Sequence, residues 1–193
     1  MNTSNLPALD GQELLHLAVA ASDRNETDRA IGFLKQALAV EPGMAKAHYL
    51  LGAEHAQIGL FDRAMVEMQQ AISIDPELDA ARFQLGLLQL TSRQVEAAKS
   101  TWQGLDRLGA DHYFVLFKSG LEHLARDEFA DCVRCLRQGI ALNGANAPLN
   151  NDMERLAKQA ETMTGNDGPP DSGATEPSGS GHLLVNAYNR RQH

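Results

Sequence analysis

Few side chains here are spaced for chemistry, and each spaced set has a competing structural role. Cys132 and Cys135 stand three apart, the interval of a redox dithiol or of half a zinc site. A redox dithiol of that kind needs a βαβ setting, and no strand pattern surrounds this pair. A structural zinc ion takes about four ligands, and no second cysteine pair exists to supply them. Both cysteines therefore read as packing residues of a helix. His48 and His55 are seven apart, so one helical face presents both. No Asp, Glu or Cys accompanies them on that face, and they read as core or boundary histidines. His16, His112 and His123 are scattered. Carboxylates such as Glu67 and Glu77 read as single groups on solvated helix faces. Phosphate-loop, nucleophile-elbow and zinc-protease signatures do not occur. The expectation is a chain that is not an enzyme and has no metal site or cofactor.

The bulk properties point the same way. A chain of 193 residues with 43% hydrophobic content can build a real core. Its net charge of −8 disfavours nucleic acid, which is held by basic surface. No run reaches the roughly 18 apolar residues of a membrane span. The stretch Leu14–Ala21 has the length of a signal-peptide core but follows Asp10 and Glu13 with no basic residue before it, so it reads as a helix face. Two cysteines without an export signal suggest a reducing compartment, hence a cytoplasmic location.

What positions these side chains is a repeat. Gly52, Gly86 and Gly120 are each 34 apart, and Ala30, Ala64, Ala98 and Cys132 keep the same step. The register runs without insertion through 11–44, 45–78, 79–112 and 113–146. Within the second unit, His48, Leu51, Gly52 and His55 share one face of a first helix, and Ala64, Met68, Ala71 and Ile72 one face of a second. Gly59 breaks the two apart, and Asp75-Pro76 ends the unit. Asp10 with Glu13 fits a capping box opening the first helix. After the fourth unit, Leu149, Met153, Leu156, Ala160 and Met163 form one apolar stripe, a helix over 148–164 that covers the last open face.

This pattern resembles the tetratricopeptide repeat (TPR) family, whose 34-residue helix-turn-helix carries small residues at positions 8, 20 and 27 and Pro at 32. The best match is Ala47–Pro76, and the resemblance covers residues 11–146. It implies an all-α solenoid of four repeats with a C-terminal capping helix, occupying 1–165. The third unit departs from the pattern with Leu105 and Ala110. The fourth departs more, with Cys132, Gly139 and Gly144, and is expected to pack least regularly.

The resemblance also implies a concave groove lined by positions 2, 5, 9, 12 and 13 of each first helix. Those positions give a row of Tyr49, Phe83, Leu87, Leu90, Phe114, Phe117, Leu121 and Leu124. Position 9 has no Asn and Lys46 is alone at position 2, so the carboxylate clamp of many chaperone-binding members is excluded. Two readings are open: tighter superhelical packing makes these residues core, or they form an exposed apolar row, which at this size needs a cover. The function it implies is a non-catalytic adaptor or scaffold holding another protein's apolar helix or extended peptide. A secretion-type chaperone shielding a hydrophobic export substrate, or a homo-oligomer burying the same face, are the alternatives.

Residues 166–181 are rich in Pro, Gly and Ser and are expected to be a disordered linker. Beyond it, 182–193 forms an amphipathic tail with Leu183, Leu184, Val185, Tyr188, Arg190 and Arg191. It is open to three roles: a plug in the groove in cis, a motif for another protein, or an inert end.

Overall fold

The protein, described here from a computed structural model over residues 9–164, forms helices wherever the 34-residue pattern places them. Repeat one holds α1 (Gly11–Ser22) and α2 (Thr27–Val40), and repeat two α3 (Ala45–Gln57) and α4 (Phe61–Ile74). Repeat three holds α5 (Asp79–Thr91) and α6 (Val95–Gln103), followed by a 3-10 turn at Asp106–Leu108. Repeat four holds α7 (Tyr113–Leu124) and α8 (Phe129–Leu142), and α9 (Ala147–Thr164) follows it. Among the described residues there is no strand.

Each helix start and stop has a local cause. Asp10 accepts from the Glu13 amide at 2.8 Å, and the Glu13 carboxylate accepts from the Asp10 amide at 2.9 Å, a complete capping box. The turn inside each repeat is one backbone motif used four times. The amide at position 16 donates to the carbonyl at position 11: Glu26 to Ala21, Leu60 to His55, Gln94 to Gln89 and Glu128 to His123, at 2.8–3.0 Å. That is the 6→1 bond of a Schellman stop, which needs a left-handed residue between. Position 15 supplies it, as Asn25, Gly59, Arg93 and Asp127, with φ of 58°, 77°, 62° and 59°.

The chain divides after Leu85 into two compact units. In the first, α1 packs on α2, α2 on α3 and α3 on α4. Its core joins Leu14, Leu15, Ala18, Leu34, Ala37, Met44, Ala47 and Leu51, all buried. In the second, α7 packs on α8 and α8 on α9. The α9 stripe buries Leu149, Met153, Leu156, Ala157 and Ala160, leaving Met163 exposed. Asn146 caps α9, accepting from the Leu149 amide at 3.0 Å, and Asn143 and Asn150 bond each other across the preceding turn.

The paired helices meet through a size match between positions 8 and 24. A Cβ built on Gly52 would stand 2.9 Å from Met68 Cγ, and one on Gly120 would stand 2.7 Å from Leu136 Cδ2. On Gly86 it would stand 2.2 Å from Nε1 of Trp102, which has no exposed surface. Where position 24 is Leu34, position 8 is already Ala18.

The expectation of poor packing in repeat four is overturned. α7 and α8 are regular, because Gly139 leaves a notch that Phe117 fills: a Cβ there would lie 2.5 Å from the Phe117 ring. Irregularity falls on repeat three. Its second helix stops at Gln103, nine residues long against fourteen in the other repeats. Gly104 follows, and Gly109 with φ 87° closes the 3-10 turn. Lys118 of α7, buried, pairs with Asp106 of that turn and ties it down.

Candidate interaction surfaces

The row proposed from the resemblance is core for most of its length. Phe83, Phe117, Leu121 and Leu124 have 0% exposure, and Leu90 and Phe114 have 5% and 6%. Only Tyr49 and Leu87 are half-buried. An open apolar groove built from all eight is therefore corrected. The reason is visible within the second unit. Phe117 turns toward Gly139 of α8, and Tyr113 covers it edge-on at 5.9 Å between ring centroids. Leu90 packs with Val95, Ala98 and Trp102 around a small cavity of about 50 Å³. Large residues at these positions fill the gaps between helices instead of facing water.

In the first unit the same repeat positions divide: Leu15, Ala56 and Phe83 are buried, while others keep exposed surface. Val19, Ser22, Tyr49 and Ala53 are half-buried and Lys46 is exposed. Ser22 donates to buried Glu54 at 2.5 Å, leaving Glu54 Oε2 without a partner.

A second feature of that unit was not legible as a site. A cleft of about 420 Å³ is lined by Lys35 of α2, His55 of α3, and Asp62, Arg63, Val66 and Glu67 of α4. His55 is 5% exposed, and its Nδ1 is buried without a partner. Burial holds its imidazole below the usual value; Glu67 pulls the other way, while Lys35 and Arg63 push it further down. The two histidines thus diverge. His48 faces Glu67, with Nδ1 2.7 Å from its Oε2, and its Nε2 lies 3.2 Å from the Pro42 carbonyl. The reading that no acid accompanies His48, and that Glu67 is a lone solvated carboxylate, is corrected. The two groups are 19 residues apart and meet only through the α3–α4 packing.

Cys132 and Cys135 are free and buried. Burial pushes the Cys132 thiol up to about 12, with Cys135 adding to the rise, and raises the Cys135 thiol as well. Both are therefore thiols at neutral pH, the less reactive state toward an electrophile. No group of three or more metal-ligating side chains occurs among the described residues, and no helix among them is long and apolar enough to cross a membrane. The linker 166–181 and the tail with Leu183, Leu184, Val185, Tyr188, Arg190 and Arg191 lie outside the described residues.

The tetratricopeptide-repeat family profile matches residues 45–78, the second unit of the 34-residue register. Solved structures match nearly the whole chain. MamA (residues 41 to end) from Desulfovibrio magneticus RS-1 aligns with a TM-score of 0.60 at 12% identity, covering 94% of this chain and 92% of that one. YrrB, a TPR protein with an unusual peptide-binding site, aligns with a TM-score of 0.58 at 16% identity, covering 95% and 87%. The fold is that of tetratricopeptide repeat proteins, and residues 45–78 match the family's repeat. MamA of AMB-1 also aligns with this chain, with a TM-score of 0.56 at 20% identity over 76% and 81%. No curated protein sequence matches it. At these identities the likeness concerns the fold, and a fold alone does not set a function.

Proposed function

We propose that this protein is a non-catalytic adaptor that holds a segment of another protein on the first-helix face of its first unit, around Tyr49. The observation that carries the proposal is the contrast along one set of repeat positions. Phe117, Leu121 and Leu124 are sealed, whereas Val19, Tyr49 and Ala53 keep exposed surface beside Lys46. A half-open tyrosine beside small apolar residues suits an interaction anchor, since Tyr offers large contact area at low entropic cost. In YrrB, by its description, the same fold carries a peptide-binding site.

The test is a photo-crosslinking amino acid placed at position 49 of the full chain, with Tyr49→Asp as the disruptive variant. Crosslinks to a partner protein from position 49, and loss of that partner from Tyr49→Asp with unchanged helicity, are expected. A partner retained at full strength by Tyr49→Asp overturns this assignment. The finer proposal, that the tail occupies the same face in cis, has its own test. Removing 182–193 should raise partner retention, and unchanged retention rejects the plug.

A further inference from the structure

The cleft of the first unit offers a second contact, of different chemistry from the Tyr49 face. Lys35 and Arg63 line it, and neither has an ion-pair or hydrogen-bond partner among the described residues. Val66 stands beside them on α4 with 61% of its surface exposed, the highest among the exposed large hydrophobic residues. His55 lines the same cleft with a buried ring nitrogen that has no partner. A buried polar atom left unpaired is costly, and it leaves a bonding demand unmet beside the cleft.

The acids of the cleft narrow the choice of ligand. Glu67 Oε2 is already engaged by His48 at 2.7 Å, which leaves Asp62 as the acid without such a partner. A phosphate dianion would meet both carboxylates, whereas a single carboxylate is favoured by the two cations at smaller repulsive cost. We propose that the cleft between α2, α3 and α4 binds an acidic residue followed by an apolar residue on a partner protein, the carboxylate taken by Lys35 and Arg63 and the apolar side chain seated on Val66. This rests on the adaptor reading and adds a second recognition element to it. The ring of His55 then gains an anion nearby, so binding raises the pH at which it takes a proton.

The test uses the isotope-labelled full chain and the blocked peptide acetyl-Gly-Ser-Glu-Leu-Ser-Gly-amide, with Gln in place of Glu as the control. Saturable shifts of the Val66 methyls and the His55 ring are expected, together with an upward move of the His55 titration midpoint. The Gln peptide, and the Lys35→Ala/Arg63→Ala double variant, should each bind about fivefold more weakly or worse. Both substitutions lie on the exposed surface, and circular dichroism checks that the fold is kept. Equal affinity for the Glu and Gln peptides, binding that survives the double variant, or Val66 methyls that do not move overturns the cleft assignment. Crosslinking at position 49 reads the other face, so failure of the cleft and failure of the adaptor reading are distinguishable.

Discussion

At the scale of single residues, the repeat makes the same conformational demand four times and is answered unequally. Position 15 must turn left-handed to close the hairpin, and Asn25, Gly59 and Asp127 are residue types that do so readily. Arg93 does not, and its φ of 62° is a strain the other repeats avoid. Arg93→Gly should therefore stabilise the protein by about 0.5–1 kcal/mol, the left-handed penalty less the added entropy of an unfolded glycine. The midpoint of urea unfolding should rise, and a fall would show that Arg93 is held by something its geometry does not reveal. The cysteines set a second residue-scale expectation. Folding raises the Cys132 thiol from its ordinary 9.0 to about 12. Above pH 9 the unfolded chain releases this proton while the folded chain keeps it, so the unfolded state binds fewer protons and stability falls as pH climbs toward 12. Replacing Cys132 by Ala should flatten that part of the stability curve. The wild-type thiols should also resist a disulfide reagent at pH 8 until the protein unfolds.

At the scale of helices, the decisive variable is the size of the residue where two helices cross. Trp102 fits over Gly86 because no Cβ is there. Gly86→Ala should cost about 3 kcal/mol by overpacking, the upper end of what core insertions cost. Adding Trp102→Leu should recover part of that loss, since repeat one already pairs Ala18 with Leu34. A double variant less stable than Gly86→Ala alone would refute the size match. This pairing also shows what the sequence made legible. The step that recurs at Gly52, Gly86 and Gly120 is a backbone requirement, so it fixed the helices and their partners. The early stop of α6 was not foreseen, although Leu105 and Ala110 were its signals. The departures of repeat four looked larger by residue type, yet Gly139 is matched by Phe117, and a substitution can be weighed only together with what fills the space it leaves. The binding row failed for a related reason. Repeat position tells which way a side chain leaves its helix, not how deeply neighbours cover it. Phe117 and Tyr49 share position 5, but one is sealed and the other half open. The cleft at His55 was hidden because Lys35, His55 and Arg63 come from three helices, and nothing in their spacing brings them together before the helices pack.

At the scale of the whole molecule, the chain divides into two compact units after Leu85. Repeat arrays draw stability from each repeat and its immediate neighbours, so damage need not spread along the chain. Phe117 has no exposed surface, and a carboxylate placed there would be buried without a partner. Phe117→Asp should cost at least about 4 kcal/mol, enough to consume much of a small domain's stability. Hydrogen-exchange protection should then be lost across α7, α8 and α9. It should persist in α1 to α4, whose core is made of Leu14, Leu34, Met44, Leu51 and their neighbours. Tyr49→Asp should do the reverse, leaving protection intact everywhere while removing the partner. If Phe117→Asp instead keeps α7 and α8 protected and loses only the partner, Phe117 is a contact residue that opens to meet its ligand. If protection collapses in both units together, the array unfolds as one body, and the division after Leu85 has no energetic meaning.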